Sequence, residues 1–138
     1  VRAPSIPALA AVSDYRPRER APHKIKKERD EVVLRLEKTQ DILKTLGERK
    51  TRQVLVGFAA ETQNLDAHAA AKLQAKNLAM VVGNLVGGGD AGFGCDSNRV
   101  TFYLRDGSRE SLPLMDKHDL AHALLDRALI LASPLNGS

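Results

Sequence analysis

Apolar positions along the chain fall into short runs separated by helical stretches, an alternation that predicts parallel strands joined by crossover helices. Leu9 to Val12 is a brief apolar run ended by Ser13-Asp14. The polar, charged and proline-bearing stretch from Tyr15 to Asp30 predicts a long loop of the lid or binding type rather than a plain connector. Val32 to Leu36 reads as a strand, and Asp41 to Leu46 as a short helix closed by Gly47 as its C-terminal cap.

Val54 to Ala59 (VLVGFA) predicts a central strand, because an uncharged, mostly apolar run suits burial on both faces. Asn64 offers an N-cap for an Ala-rich helix from Leu65 to about Lys76, and Leu78 to Val82 reads as another buried strand. Asn84 to Asn98 holds Gly-Gly-Gly-Asp and Gly-Phe-Gly and predicts a loop. Val100 to Leu104 and Arg109 to Leu114 flank Asp106-Gly107, a turn dipeptide, and predict a hairpin. Asp116 caps a final helix from Lys117 to Ala132, in which Leu120, Ala121, Leu124, Leu125, Ala128 and Leu131 recur at helical spacing. The resulting order is β, loop, βαβαβ with an antiparallel addition at one edge.

A length of 138 residues and 15.0 kDa fits one domain, residues 1–138. With 43% hydrophobic and 28% charged residues, the composition is that of a soluble globular chain, which sets aside disorder and collagen. No apolar run approaches the roughly 20 residues of a spanning helix, and residues 1–11 lack the apolar core of a signal peptide. A cytoplasmic protein is expected, in keeping with the single cysteine, Cys95. The absence of Trp argues against an aromatic platform for single-stranded nucleic acid, and neither nucleic acid nor membrane is expected as a partner.

The location of the charge matters more than its total. Arg16, Arg18, Arg20, Lys24, Lys26 and Lys27 crowd one window with a single acid, Glu19, so this window carries +5 of a net +4 and the rest of the chain sums to −1. Such a segment suits an anionic ligand. Asp14 stands at the end of the first apolar run and Lys24 ten residues later. In open α/β sheets ligands bind at the carboxyl ends of the strands, where lysines serve phosphates and a carboxylate can hold Mg²⁺ or a ribose hydroxyl. The plain alternative is a solvated charge run.

Phe58 could face a base or fill the core, and Lys72 and Lys76 share a helix face. His118 and His122 have the i, i+4 spacing of a metal pair without the H-E-x-x-H glutamate or a third ligand, and Cys95 has no partner that would make it a nucleophile. Neither G-x-G-x-x-G nor G-x-x-x-x-G-K-[ST] occurs. The site therefore uses another device, or the chain is the second half of a larger domain.

Five ordered motifs point further. AAVSDYRP (Ala10 to Pro17), HKIKK (His23 to Lys27), KTQDIL (Lys38 to Leu43), VGFAAET (Val56 to Thr62) and GFGCDSN (Gly92 to Asn98) together resemble phosphopantothenate-cysteine ligase, or phosphopantothenoylcysteine synthetase. In bacteria this is usually the C-terminal half of a bifunctional coenzyme A biosynthesis flavoprotein. The resemblance runs from about Ala8 to the end of the last helix. It implies an α/β fold, a three-layer α/β/α sandwich with a Rossmann-like, mostly parallel sheet, an antiparallel edge hairpin and the N-terminal part of the domain missing.

The activity implied is CTP-dependent ligation of 4′-phosphopantothenate and cysteine through an acyl-cytidylate. Mg²⁺ would bridge the triphosphate, with Asp14 as a potential metal-side carboxylate. FMN would belong only to a flavin decarboxylase domain upstream. By the same resemblance Ala8, Leu9, Ala10 and Asp14 belong to the nucleotide site and Lys24 is the catalytic contact to the phosphates. Residues 16–30, with Lys26 and Lys27, correspond to a mobile flap. Gln40, Asp41, Ile42 and Leu43 match the strand-to-helix turn at the nucleotide, Phe58 its aromatic contact, and Lys72 and Lys76 its basic helix pair.

The chain departs from the family pattern in several places. Thr39-Gln40-Asp41-Ile42 replaces Asn-Pro-Asp-Ile and loses the proline that would fix the turn. Gly83-Asn84-Leu85 replaces Ala-Asn-Asp, and Cys95 stands for a serine. The family's glycine-rich opening turn is absent, as are the asparagine and arginine that handle the acyl intermediate, so the isolated chain is expected to be catalytically incompetent. Val1 to Pro7 match no family strand and read as divergent or foreign to it. The family is dimeric, and the edge hairpin from Val100 to Leu114 is the expected pairing surface, unless Arg105, Arg109 and Glu110 protect it. Two other functions compete: a non-enzymatic basic module binding through Arg16 to Lys27, and a degenerate ligase half kept as a structural partner.

Overall fold

A computed structural model describes residues 12–25, 31–85, 97–98 and 100–133. These fall into two compact units, divided between Asp41 and Ile42.

The first unit is built on an antiparallel ribbon of β1 (Tyr15–Pro17) and β2 (Leu36–Lys38), with Tyr15 opposite Lys38 and Pro17 opposite Leu36. Arg16 and Glu37 face each other across it, Nε to Oε1, at 2.8 Å. The expected strand at Val32 to Leu36 is displaced: pairing begins only at Leu36, and residues 31–35 carry no ladder of their own apart from the carbonyl of Arg35, which accepts from Arg18 N at 2.9 Å. Register overrides side-chain pattern here. Val33 and Leu34 are exposed, so no buried face selects the apolar run as the paired segment. The strand expected at Leu9 to Val12 lies outside the described residues except for Val12.

The second unit starts with α1 (Ile42–Arg49) and runs through β3 (Val56–Glu61), α2 (Leu65–Ala75), β4 (Met80–Leu85), β5 (Ser97–Asn98), β6 (Val100–Leu104), β7 (Arg109–Ser111), β8 (Met115–Asp116) and α3 (Lys117–Ala132). β3, β4, β6 and β7 form one sheet in that order, with β3–β4 parallel and β4–β6 and β6–β7 antiparallel. β5 and β8 pair separately.

The fold is α/β, and its sheet is mixed. Among the described residues one pair is parallel, because only β3 and β4 are joined by a crossover helix; β6 and β7 return through a tight turn, where Gly107 takes φ +86°. The run VLVGFA does not make a central strand among these residues. β3 pairs with β4 alone, and Phe58 is 48% exposed. The central position belongs to β4, whose Met80, Val81 and Val82 are all buried.

The alternation of β4 and β6 sorts side chains into two cores. Val81 and Tyr103 join Ala59, Ala69, Leu73 and Leu78 on the face covered by α2, with Leu43 of α1 against them. Met80, Val82, Val100 and Phe102 occupy the other face, under Leu120, Leu124 and Leu131 of α3. This unit is thus three layers, α/β/α. Of the expected apolar stripe on α3, Leu125 is turned outward, at 45% exposure.

Helix ends show which local signals hold. Asp116 caps α3 as expected, its carboxylate accepting from Asp119 N at 2.8 Å. Asn64 stands at the N-terminus of α2 in a left-handed conformation (φ 56°) without a side-chain cap bond, and contributes its carbonyl to His68 N at 3.1 Å. Gly47 is no cap at all. α1 continues through it to Arg49, and Gly47 is buried because a Cβ there would lie 2.0 Å from the carbonyl oxygen of Lys76.

Candidate functional site

In the first unit, Asp14 and the turn before α1 meet in one corner. Thr39 N donates to the Asp14 carbonyl at 2.9 Å, and Thr39 Oγ1 to the Ser13 carbonyl at 2.5 Å. Residues 26 apart in sequence are thereby locked together, which places Asp14 beside the segment that leads into Gln40 and Asp41. Thr39, which stands where the family pattern has asparagine, makes both bonds. Lys24 lies exposed in the segment between β1 and β2. Lys26 and Lys27, with most of the expected flap's second half, lie outside the described residues, as do Ala8, Leu9, Ala10 and Cys95.

The second unit brings Leu43 and Lys72 to the β3 backbone at Gly57. A Cβ on Gly57 would come 2.7 Å from Leu78 Cδ1, and at ordinary contact distance, 3.4 Å and 3.7 Å, from Leu43 Cδ2 and Lys72 Cε, so α1 and α2 both reach this point of β3. Lys72 Nζ donates to the carbonyl of Phe58. Leu43 and Lys72, 29 positions apart, thus meet the β3 backbone from α1 and α2, whereas the Phe58 side chain, one position on from Gly57, projects from the other face of the strand with Val56. Ile42, in the first turn of α1, is 47% exposed. Lys76 follows the last turn of α2, where its N–H bonds the Lys72 carbonyl at 3.1 Å and its own carbonyl abuts Gly47.

A cleft of about 630 Å³ opens elsewhere, at the start of α2, between Thr62, Asn64, Leu65, Asp66, Gly83 and Tyr103. None of the residues expected to bind the nucleotide lines it, although Thr62, Asn64 and Gly83 from the sequence motifs do, and no cationic side chain is among its lining residues. Asp66 is turned to an internal bridge instead, accepting from Tyr103 Oη at 2.6 Å and from Arg109 Nη1 at 2.7 Å. Burial, and then the bond to Asp66, push the Tyr103 hydroxyl up to about 12. Sequence reading missed this triad; its members are 37 and 43 positions apart and no local pattern links them.

Asp116, His118 and Asp119 bring ligand atoms within 4.8 Å of one another at the exposed start of α3, and the His118 and His122 rings stand edge to face at 4.6 Å. Asp116 is already engaged as the helix cap. For a hard cation such as Mg²⁺ the exposed Asp14 offers one carboxylate, the number usual where a phosphate ligand supplies the remaining oxygens. Among the described residues no helix is long and apolar enough to cross a membrane.

Residues 4–131 match the family model for the DNA/pantothenate metabolism flavoprotein C-terminal domain, and the chain belongs to that family. It is 46% identical over 123 residues to the coenzyme A biosynthesis bifunctional protein CoaBC of Bacillus subtilis (strain 168), covering 89% of this chain and 30% of the relative. The same protein of Haemophilus influenzae is 44% identical over 121 residues, covering 87% and 30%. A crystal structure of the C-terminal domain of CoaBC superposes with a TM-score of 0.66 at 41% identity, covering 88% of this chain and 52% of that one. The chain thus spans about a third of the curated relatives it matches and about half of the solved domain.

Proposed function

We propose that the chain is the nucleotide-handling part of a phosphopantothenate-cysteine ligase domain and acts in coenzyme A biosynthesis. The observation that carries the reading is the meeting of Leu43 and Lys72, from two helices, on the β3 backbone at Gly57 and Phe58 in a member of this family. The carboxylate of 4′-phosphopantothenate attacks the α-phosphorus of CTP, forming the acyl-cytidylate and expelling pyrophosphate. The amine of cysteine then attacks the acyl carbon, expelling CMP and losing a proton as the amide forms. Both substrates of the first step are anions, so cations fixed in advance lower the barrier.

Lys24 meets the phosphates, with Lys26 and Lys27 closing over the acyl-cytidylate to keep water from it. Lys72 and Lys76 supply charge from α2, Phe58 offers its half-exposed ring to the base, and Asp14 with Gln40, Asp41 and Ile42 borders the nucleotide. Ala8, Leu9 and Ala10 add backbone to the same site. Mg²⁺ carried by the triphosphate supplies further neutralisation. Two copies pair along β7, whose outer edge has no neighbour among the described residues.

Calorimetric titration of CTP–Mg²⁺ into the chain and into its Lys24→Ala variant, with ATP and GTP as controls, tests this. Selective CTP binding that weakens in the variant is expected. Equal binding of the three nucleotides that fades steeply with salt would instead mark the cationic segment as a phosphate-only module.

A further inference from the structure

A second cationic feature lies at the other end of α1. The helix closes with Lys50 N bonded to the Leu46 carbonyl at 2.9 Å, and a groove of about 150 Å³ opens beside it, floored by Leu46 and Leu55 and walled by Arg49, Lys50 and Gln53. Two main-chain bonds run across the adjacent end of the sheet, from Ala79 N to the Leu55 carbonyl at 2.9 Å and from Arg105 N to the Ala79 carbonyl at 3.2 Å. They set Arg105, the residue after β6, on the same row of the sheet as Leu55, two strands across. Burial of the Lys50 ammonium, followed by repulsion from Arg105, lowers its pKa. Among the described residues none of Arg49, Lys50 and Arg105 forms an ion pair with a carboxylate.

We propose that this groove is a binding site for the phosphoryl group of a small phosphorylated molecule, separate from the nucleotide site. Arg49 and Lys50 alone could be read as cations complementing the negative end of α1. Arg105 does not belong to that helix: the sheet places it on the row of Leu55, which lines the groove, so cations from two separate elements are directed to this end of the unit. A guanidinium fork and an ammonium are the donors that phosphoryl oxygens take. The groove is small enough to hold one such group, and Leu46 and Leu55 leave room for a short apolar tail. Leu43, by contrast, sits in the first turn of α1, about 10 Å along the axis from Lys50. The inference does not depend on the ligase reading.

The test is a titration of the ¹⁵N-labelled chain with inorganic phosphate and, separately, ethyl phosphate, against sodium chloride at matched ionic strength, followed by amide cross-peaks with and without CTP–Mg²⁺. Saturable shifts at Arg49, Lys50 and Arg105 that persist with CTP are expected. They should weaken about tenfold in Lys50→Gln and in Arg105→Gln, each checked for an intact spectrum elsewhere. Tighter binding of ethyl phosphate identifies a phosphomonoester as the ligand; equal binding identifies free phosphate. Shifts equal to those from chloride, shifts confined to Leu43, Phe58 and Lys72, or an affinity unchanged in both variants would overturn the proposal. A Lys50→Gln variant that is less stable but binds phosphate as before would overturn it too, and assign the cations to the helix end.

Discussion

Gly47 lies in the body of α1 with its Cα pressed on the carbonyl of Lys76, so close that a Cβ would stand 2.0 Å from that oxygen and 3.4 Å from Asn77 Cβ. Asn77 completes the joint. It follows α2 in a left-handed conformation (φ 51°), Leu78 N reaches back to the Leu73 carbonyl at 2.9 Å, and Asn77 Nδ2 donates to the Gly47 carbonyl at 2.8 Å. The ends of two helices are held by one glycine and one asparagine.

Replacing that glycine separates intrinsic propensity from packing. Gly47→Ala gains about 1 kcal/mol of helix propensity, yet a backbone oxygen cannot yield as a side-chain tip would. Net destabilisation of about 2 kcal/mol is expected, measured as the shift of the urea midpoint. An unchanged or raised midpoint would show that α1 and α2 do not meet there.

Gly57→Ala probes the candidate site. The added methyl would lie 2.7 Å from Leu78 Cδ1, a flexible tip that must shift, and would touch Leu43 and Lys72 at ordinary contact distance. The chain should stay folded, at a cost of about 1 kcal/mol, while CTP affinity drops about tenfold in calorimetry. Gly107→Ala is the control: it has open space around it but a φ of +86°, so it should lose some stability and keep its affinity.

Tyr103 makes stability depend on alkaline pH. Its hydroxyl ionises at about 12 in the fold against 10.0 in an exposed tyrosine, so between these values the unfolded chain gives up a proton that the folded chain keeps. The stabilisation is complete below about pH 10 and is lost as pH rises toward 12. Urea midpoints at pH 9 and pH 11 should therefore diverge more in the parent chain than in Tyr103→Phe, which also loses about 1 kcal/mol at pH 7 with its bond to Asp66.

The cap of α3 gives a local test. Asp116→Ala removes the acceptor for Asp119 N and should cost about 1 kcal/mol, while Asp116→Asn, which keeps an oxygen there, should retain most of it. Thermal melting of the three proteins distinguishes them, and equal melting temperatures would remove the cap from the account of α3.

What the sequence determined was local. Asp116 and Asp106-Gly107 set a helix start and a turn through bonds spanning a few residues, and the apolar run around Met80 to Val82 demanded a strand buried on both faces. The five motifs named the family because they are read in order along the chain. Tertiary structure decided what depends on partners distant in sequence. It carried α1 through Gly47, since the space beside a glycine is set by another helix. It moved β2 to Leu36–Lys38, since an exposed ribbon has no core to fix its register. It joined Asp66, Tyr103 and Arg109, and it set Arg105 on the row of Leu55 through two rungs of backbone. A sequence prescribes what each residue can bond; which of those bonds form is settled only when the sheet and helices bring the partners within a few ångströms.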